Sequence, residues 1–91
     1  MDASSKDPYL NIRKRLSFRA WHRGTREMDH ILGSFSDTYV SDMNEKELEQ
    51  FDQLLQIGDP QLYNWYLGKE ELPANLRNSV FEKYLSHKVV A

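Results

Sequence analysis

The spacing of the apolar residues constrains the fold of this chain more than any other feature of its sequence. Between residues 28 and 39 they recur at i, i+3, i+4, i+7 and i+11, which places them on one face of an α-helix. Similar spacing recurs in four other segments, and no segment shows the period of two that a half-buried strand requires. The sequence therefore predicts an all-α fold, a compact five-helix bundle without a sheet.

Capping residues, proline and glycine set the expected helix boundaries. A helix is expected to start where a capping residue or proline precedes an apolar run, and to stop where glycine follows one. The expected starts are Asp7-Pro8, Thr25, Asn44 with Glu47 as a capping box, Asp59-Pro60 and the region of Leu76, and the expected stops are residues 21–24, Gly58 and Gly68.

Gly33 lies inside the second expected helix. It either costs about 1 kcal/mol relative to alanine or permits close packing at that point. Residues 1–7 are polar and are expected to form a disordered tail, which leaves residues 8–91 as a single helical domain.

Charge is distributed unevenly along the chain. Residues 1–26 contain seven Lys or Arg and two Asp, a net charge of +5, whereas residues 27–91 contain five Lys or Arg and twelve Asp or Glu, a net charge of −7. The basic residues Arg13, Lys14, Arg15 and Arg19 could steer an acidic partner, or they could be the solvated face of the first helix. The acidic remainder argues against nucleic acid as a partner.

The sequence offers no pattern typical of an enzyme or a metal site. There is no cysteine, and no Ser or Thr lies in a recognisable nucleophile motif. The three histidines, His22, His30 and His87, show no i, i+4 pairing and are expected to be solvated surface residues. No apolar run approaches the roughly 18 residues of a membrane span, and no secretory signal is visible, so a cytoplasmic protein that does not bind membranes is expected.

The segment from His22 to Asp29 is the strongest candidate for a functional surface. On a helical wheel Arg23 and Glu27 fall on the side opposite the apolar stripe, four residues apart, and Gly24 between them would let another backbone approach closely. The alternative is a helix junction in which Gly24 turns the chain and Arg23–Glu27 is a solvated ion pair. Tyr63, on the side of the fourth helix opposite Trp65, is a further candidate contact.

Two motifs resemble those of the SdhE family of succinate dehydrogenase flavinylation factors. The string from Arg23 to Glu27 is similar to the RGxxE signature of that family, and residues 59–65 are similar to its D-P-x-L-[FY]-x-W segment. The resemblance extends over residues 10–86 and includes the chain length and the order of the helices.

The resemblance implies an assembly factor without catalytic activity. Such a factor binds the flavoprotein subunit of succinate dehydrogenase or fumarate reductase, promotes covalent attachment of FAD to a histidine of that subunit, and holds no FAD tightly itself. Its partner-binding residues would be Arg23, Gly24 and Glu27, with His22, Arg26 and Asp29 more loosely, and we expect a monomer. An antitoxin-like regulator and a carrier of free FAD are the alternative functions.

Overall fold

The predicted helices are present in the computed structural model, which describes residues 7–89. It contains five α-helices and, over these residues, no strand, which confirms the all-α prediction. A 3-10 turn, Val40–Asp42, follows the second helix, and another, Ala74–Leu76, precedes the last. The helices are α1 (Leu10–Trp21), α2 (Arg26–Tyr39), α3 (Glu45–Leu55), α4 (Asp59–Leu67) and α5 (Ser79–Ser86).

Local capping accounts for most of the boundaries. Thr25 accepts a hydrogen bond from the Met28 N–H at the start of α2, and Asn44 and Glu47 form the predicted capping box at the start of α3. Gly68 ends α4 with a φ of 78°, in the left-handed region that favours glycine. Each of these caps involves residues that lie within a few positions of one another in the sequence. The sequence alone therefore predicts them.

The first helix begins later than predicted. The Asp7 carboxylate accepts hydrogen bonds from the Tyr9 N–H and from Arg13 Nε, both at 2.9 Å, and these contacts hold residues 7–9 in a turn before α1. The backbone hydrogen bond and the guanidinium lower the pKa of Asp7. Asp7 is the only residue of the predicted disordered tail that the structure describes, and residues 1–6 lie outside it.

The core is formed where α1 packs on α2 and α3, and α5 packs on α3 and α4. Phe35 of α2 lies at its centre, with ring centroids 5.5 Å from Phe51 and 6.2 Å from Tyr84. Tyr84 is fully buried, and its hydroxyl donates to the Leu62 carbonyl at 2.9 Å, so the buried polar atom is satisfied. Burial raises the pKa of Tyr84 well above its usual range. No helix within residues 7–89 has the length and hydropathy to cross a bilayer.

Gly33 permits close packing between α1 and α2. A Cβ at this position would lie 2.1 Å from Cδ2 of the Trp21 ring. With any residue other than glycine at position 33, α1 and α2 could not pack as closely as they do. The structure thus supports the close-packing interpretation of Gly33. The Trp21 indole also donates to Asp37 Oδ1 at 3.3 Å.

The segment after α5 folds back over α2 and α4. The Val89 N–H donates to the Tyr66 hydroxyl at 3.0 Å, and Lys88 Nζ donates to the Tyr66 carbonyl at 3.1 Å. His87 is half-buried, bonded to Ser34 at 2.9 Å and packed edge-on against Phe35. The expectation that His87 is a solvated surface residue is therefore wrong, because tertiary packing brings a segment with no helical pattern onto the core.

Substituting Gly33 with alanine should destabilise the protein despite the higher helix propensity of alanine. The new methyl group must displace the Trp21 ring, so we expect a loss of about 1 to 3 kcal/mol in the free energy of unfolding. In a Trp21→Leu background the same substitution should be neutral or stabilising. Urea denaturation of the two single variants and the double variant measures this coupling, and a stabilised Gly33→Ala in the wild-type background would contradict the packing argument.

The stability should fall with acidification in a window set by His87. Burial, reinforced by the charge of His30, lowers the pKa of His87 below its ordinary 6.5. The unfolded chain therefore binds more protons, and stability present above the unfolded pKa is lost as the pH falls toward the folded one. In urea unfolding at a series of pH values, His87→Gln should flatten the slope of unfolding free energy below about pH 6.5, with His22→Gln as a control variant at an exposed position. Parallel slopes for wild type and His87→Gln would contradict this assignment.

Candidate functional site

The loop between α1 and α2 places the Arg23 side chain against the junction of α3 and α4. Arg23 Nε donates to Asp59 Oδ1 at 2.8 Å, Nη1 donates to the Leu55 carbonyl at 2.7 Å, and Nη2 donates to the Ile57 carbonyl at 2.7 Å. The side chains of Arg23 and Asp59 are only 11% and 16% exposed. A cation at the carbonyl end of α3 also interacts favourably with the helix dipole. The Arg23 side chain therefore joins the loop between α1 and α2 to the junction of α3 and α4.

Gly24 and Asp59 complete this junction. The Gly24 N–H donates to Asp59 Oδ2 at 2.9 Å, so both carboxylate oxygens of Asp59 accept a bond from the loop. A Cβ at Gly24 would lie 3.2 Å from the same oxygen, which is closer than most such contacts. Gly68 is the only glycine within residues 7–89 with a positive φ, so at Gly24 the requirement is for space beside Asp59 and not for an unusual backbone conformation.

The ion pair between Arg23 and Glu27, which the sequence allowed as one alternative, does not form in the structure. Arg23 precedes α2, which begins at Arg26, so the helical-wheel argument does not apply to it. Its three guanidinium nitrogens all bond to the α3–α4 junction, 32 to 36 residues away in sequence. Glu27 is exposed and makes no ion pair with another described residue. The guanidinium therefore stabilises the loop, and Glu27 is left facing solvent.

A surface cleft brings the two sequence motifs together. It has a volume of about 290 Å³ and lies between the start of α2 and the start of α4. Its lining residues are Thr25, Glu27, Met28, Asp59, Pro60 and Tyr63. We call it the motif cleft, because it contains Glu27 from the first motif and Asp59, Pro60 and Tyr63 from the second.

The motif cleft continues into a second depression on the same side of the molecule. This depression has a volume of about 240 Å³ and shares Glu27 and Tyr63 with the motif cleft. Leu67, which is 45% exposed, and Val89 of the C-terminal segment contribute to it. Tyr63 is half-buried between the two depressions, and its role as a contact stays a prediction.

The remaining candidate residues do not line the motif cleft. His22 is exposed, its ring stacks on Phe18 at 3.9 Å, and its Nδ1 lies 2.6 Å from the Phe18 carbonyl. Arg26 is exposed at the first position of α2. Asp29 is half-buried and accepts a hydrogen bond from the Arg23 N–H, so it holds the loop. Their role in binding a partner stays a prediction.

The basic run of α1 divides between internal bonds and solvent. Arg13 Nη1 donates to the carbonyls of Val40 and Met43 at 2.5 and 2.9 Å, where it caps the chain after α2. Arg19 bonds to Asp52 of α3 at 2.5 Å. Lys14 and Arg15 are exposed. Neither interpretation of the run holds for Arg13, because its side chain is only 15% exposed and is bonded within the fold.

Asp59 is a residue of the candidate site whose structural role the sequence did not indicate. It is the first residue of an expected helix, and a capping function within that helix was enough to account for it. Its carboxylate in fact accepts hydrogen bonds from Arg23 Nε and the Gly24 N–H. The signal available was that both motifs contain residues of complementary charge, Arg23 and Asp59. Within residues 7–89, no group of three or more His, Asp or Glu has the arrangement of a metal site.

Removing the Arg23 side chain should destabilise the fold strongly. Arg23→Ala leaves Asp59 Oδ1 and two backbone carbonyls without their donor, and breaking a buried ion pair costs about 3 kcal/mol or more. Arg19→Ala is the matched control, since it lies one turn earlier and its pair with Asp52 is 40% and 45% exposed. It should cost less than about 1 kcal/mol. Thermal and urea unfolding compare the two, and equal losses would refute the bridging role of Arg23.

A family model and several curated relatives that match this chain carry consistent descriptions. The family model described as "Flavinator of succinate dehydrogenase" (Sdh5) matches residues 14–88. The FAD assembly factor SdhE of Acetobacter pasteurianus is 41% identical over 69 residues, 76% of this chain and 63% of that protein. The mitochondrial succinate dehydrogenase assembly factor 2 of Dictyostelium discoideum is 34% identical over 76 residues, 84% of this chain and 54% of that protein.

A third relative covers more of the chain. The mitochondrial succinate dehydrogenase assembly factor 2 of Schizosaccharomyces japonicus is 33% identical over 88 residues, 92% of this chain and 62% of that protein. The chain thus spans between half and two thirds of the length of these relatives. No solved structure matches it. The family match includes both motifs and most of the described helices, and the chain therefore belongs to the family described as the flavinator of succinate dehydrogenase.

Proposed function

We propose that this chain promotes covalent attachment of FAD to the flavoprotein subunit of succinate dehydrogenase or of a fumarate reductase. It would do so as a binding partner, through the surface around the motif cleft. The family match and the names of the relatives support this function. The observation that carries it is the convergence of both motifs on one cleft, where Glu27 and Tyr63 are accessible to a partner.

The motif cleft has the chemistry of a protein-binding surface. Glu27 presents an exposed carboxylate that can bind a Lys or Arg of the flavoprotein. Tyr63 offers an aromatic ring, and tyrosine is enriched at the centres of protein interfaces. Gly24 is exposed and adds no side chain beside them, so a partner backbone can approach the loop. We assign to Arg23 and Asp59 the role of holding this loop in one conformation, since their polar atoms bond to each other and to the backbone.

The proposed mechanism is positional. The bond to FAD forms within the flavoprotein, and an assembly factor accelerates that step if it binds best to the conformation in which the reacting histidine and flavin are in contact. This chain supplies no catalytic group and holds no FAD tightly in this proposal. A monomer that forms a one-to-one complex suffices.

The alternative functions receive less support. The relatives named above are assembly factors, and none is an antitoxin. A carrier of free FAD would bind the dinucleotide in the absence of the flavoprotein, which equilibrium dialysis with FAD measures directly. The relatives include a bacterial protein and mitochondrial ones, so the cytoplasmic location expected from the sequence stays a prediction.

Enlarging Gly24 should block the function while the protein remains folded. In Gly24→Arg the exposed loop gains a long side chain beside the motif cleft, and we expect little or no support of flavinylation. Glu27→Ala should weaken it as well, since an exposed carboxylate contributes little to folding but can matter at an interface. The measurement is covalent flavin fluorescence of the purified flavoprotein subunit after denaturation, with FAD present and the assembly factor limiting.

Gly24→Ala is the matched control for Gly24→Arg. Both variants place a Cβ 3.2 Å from Asp59 Oδ2, so any strain at that contact is common to both. Gly24→Ala should retain most of the activity, and both should show cooperative melting. A folded Gly24→Arg with full activity would remove this surface from the interface. A flavoprotein that takes up covalent FAD equally well without the chain would overturn the proposed function.

A further inference from the structure

A second groove, formed by residues outside both motifs, lies between α1 and α3. Its volume is about 380 Å³, larger than that of the motif cleft. Ile12, which is half-buried, supplies its accessible apolar surface, and the buried core residues Leu16 and Leu48 lie beneath it. We call it the α1–α3 groove, and its remaining lining residues are Tyr9, Arg15, Arg19, Glu45, Glu49 and Asp52.

The two walls of the α1–α3 groove carry opposite charge. Arg15 and Arg19 come from α1, whereas the three carboxylates at residues 45, 49 and 52 come from α3. Two bonds cross between the walls: the Tyr9 hydroxyl donates to Glu45 Oε1 at 3.0 Å, and Arg19 bonds to Asp52 at 2.5 Å. The bond to Glu45 raises the pKa of Tyr9, so the hydroxyl remains a donor. These two bonds hold the helices together along the groove.

Arg15 and Glu49 differ from these bonded pairs. They line opposite walls, both are exposed, and neither forms an ion pair with another residue in the range 7–89. Between the crossing bonds the groove therefore offers one cation, one anion and an apolar floor. From residue 9 to residue 19 it follows α1 for about 15 Å at 1.5 Å per residue, which is long enough for a short peptide segment.

We propose that the α1–α3 groove binds an amphipathic segment of the partner flavoprotein, in addition to the contact at the motif cleft. The segment would place an aliphatic side chain on Ile12, an Asp or Glu against Arg15, and a Lys or Arg against Glu49. The opposed walls select its orientation, because the reverse orientation brings like charges together. This inference rests on the proposed function.

The charge of the groove favours a protein segment over a membrane or a nucleic acid. A surface of phosphate groups would be attracted by Arg15 but repelled by the carboxylates of the facing wall. A peptide that carries both signs of charge satisfies both walls.

Two variants of the full chain test the proposal by different physical routes. Ile12→Trp fills part of the groove at a half-buried position, and Arg15→Glu reverses an exposed charge on its wall. We expect each to raise the Kd for the purified flavoprotein subunit by about tenfold or more, as measured by titration calorimetry. Covalent flavin should return at saturating concentration, since the motif cleft is unchanged.

Lys14→Glu is the matched control for Arg15→Glu. It makes the same change in net charge at the neighbouring exposed residue, which does not line the groove, and should change the Kd by less than about twofold. Equal effects of Lys14→Glu and Arg15→Glu would overturn the inference in favour of general charge steering. If Ile12→Trp does not fold, Arg15→Glu decides the question on its own.

The remaining outcomes separate this inference from the proposed function. Unchanged Kd in both groove variants, with wild-type flavinylation intact, would overturn the groove as a binding site and leave the proposed function standing. Absence of any complex between the wild-type chain and the flavoprotein would overturn both. Binding to vesicles of anionic phosphatidylglycerol that Arg15→Glu abolishes, with no change in flavoprotein affinity, would identify a lipid surface as the occupant instead.

Discussion

The bond between Arg23 and Asp59 connects the parts of the chain on which the candidate site depends. Arg23 stands in the loop after α1 and Asp59 begins α4, and the same guanidinium reaches the carbonyls of Leu55 and Ile57 at the end of α3. Gly24 bonds to the second oxygen of the same carboxylate. Because both groups are largely buried, the charges are paired at the cost of desolvation, and the bond fixes geometry more than it adds stability. The motif cleft has its shape because these two junctions are held together.

Two arginines of α1 also form bonds within the fold. Arg13 caps the chain after α2, and Arg19 bonds across to α3. The strong positive charge of the first part of the chain is therefore only partly available to a partner. The exposed basic residues of α1 are Lys14 and Arg15. Of these two, only Arg15 borders the α1–α3 groove. Internal pairing thus converts an apparent basic patch into a few positioned charges.

In the proposed function, the motif cleft and the α1–α3 groove would let the chain contact a large partner at two places. The motif cleft lies between α2 and α4, and the α1–α3 groove lies between the first and third helices. An assembly factor that must favour one conformation of its partner gains from two contacts, since only a partner with the correct relative placement of two surfaces satisfies both. Positional assistance of this kind requires no reactive side chain.

The sequence alone determined the helices and most of their boundaries. Apolar spacing and caps such as Thr25 with Met28, and Asn44 with Glu47, act within four residues, so they are visible without knowledge of the fold. The paired motifs also indicated the family and placed Glu27 and Tyr63 at the surface that the structure forms into a cleft.

Which side chains these segments contact depends on the tertiary structure. The helical wheel allowed Arg23 to pair with Glu27, but it treats residues before a helix as part of that helix, and Arg23 in fact bonds to residues 32 to 36 positions away. Likewise, Gly33 leaves space for the Trp21 ring, and His87 packs on Phe35. Both contacts depend on how whole helices cross. Local patterns encode interactions over a few residues, whereas ion pairs and close packing across the bundle depend on the summed geometry of all the helices, which no short stretch of sequence contains.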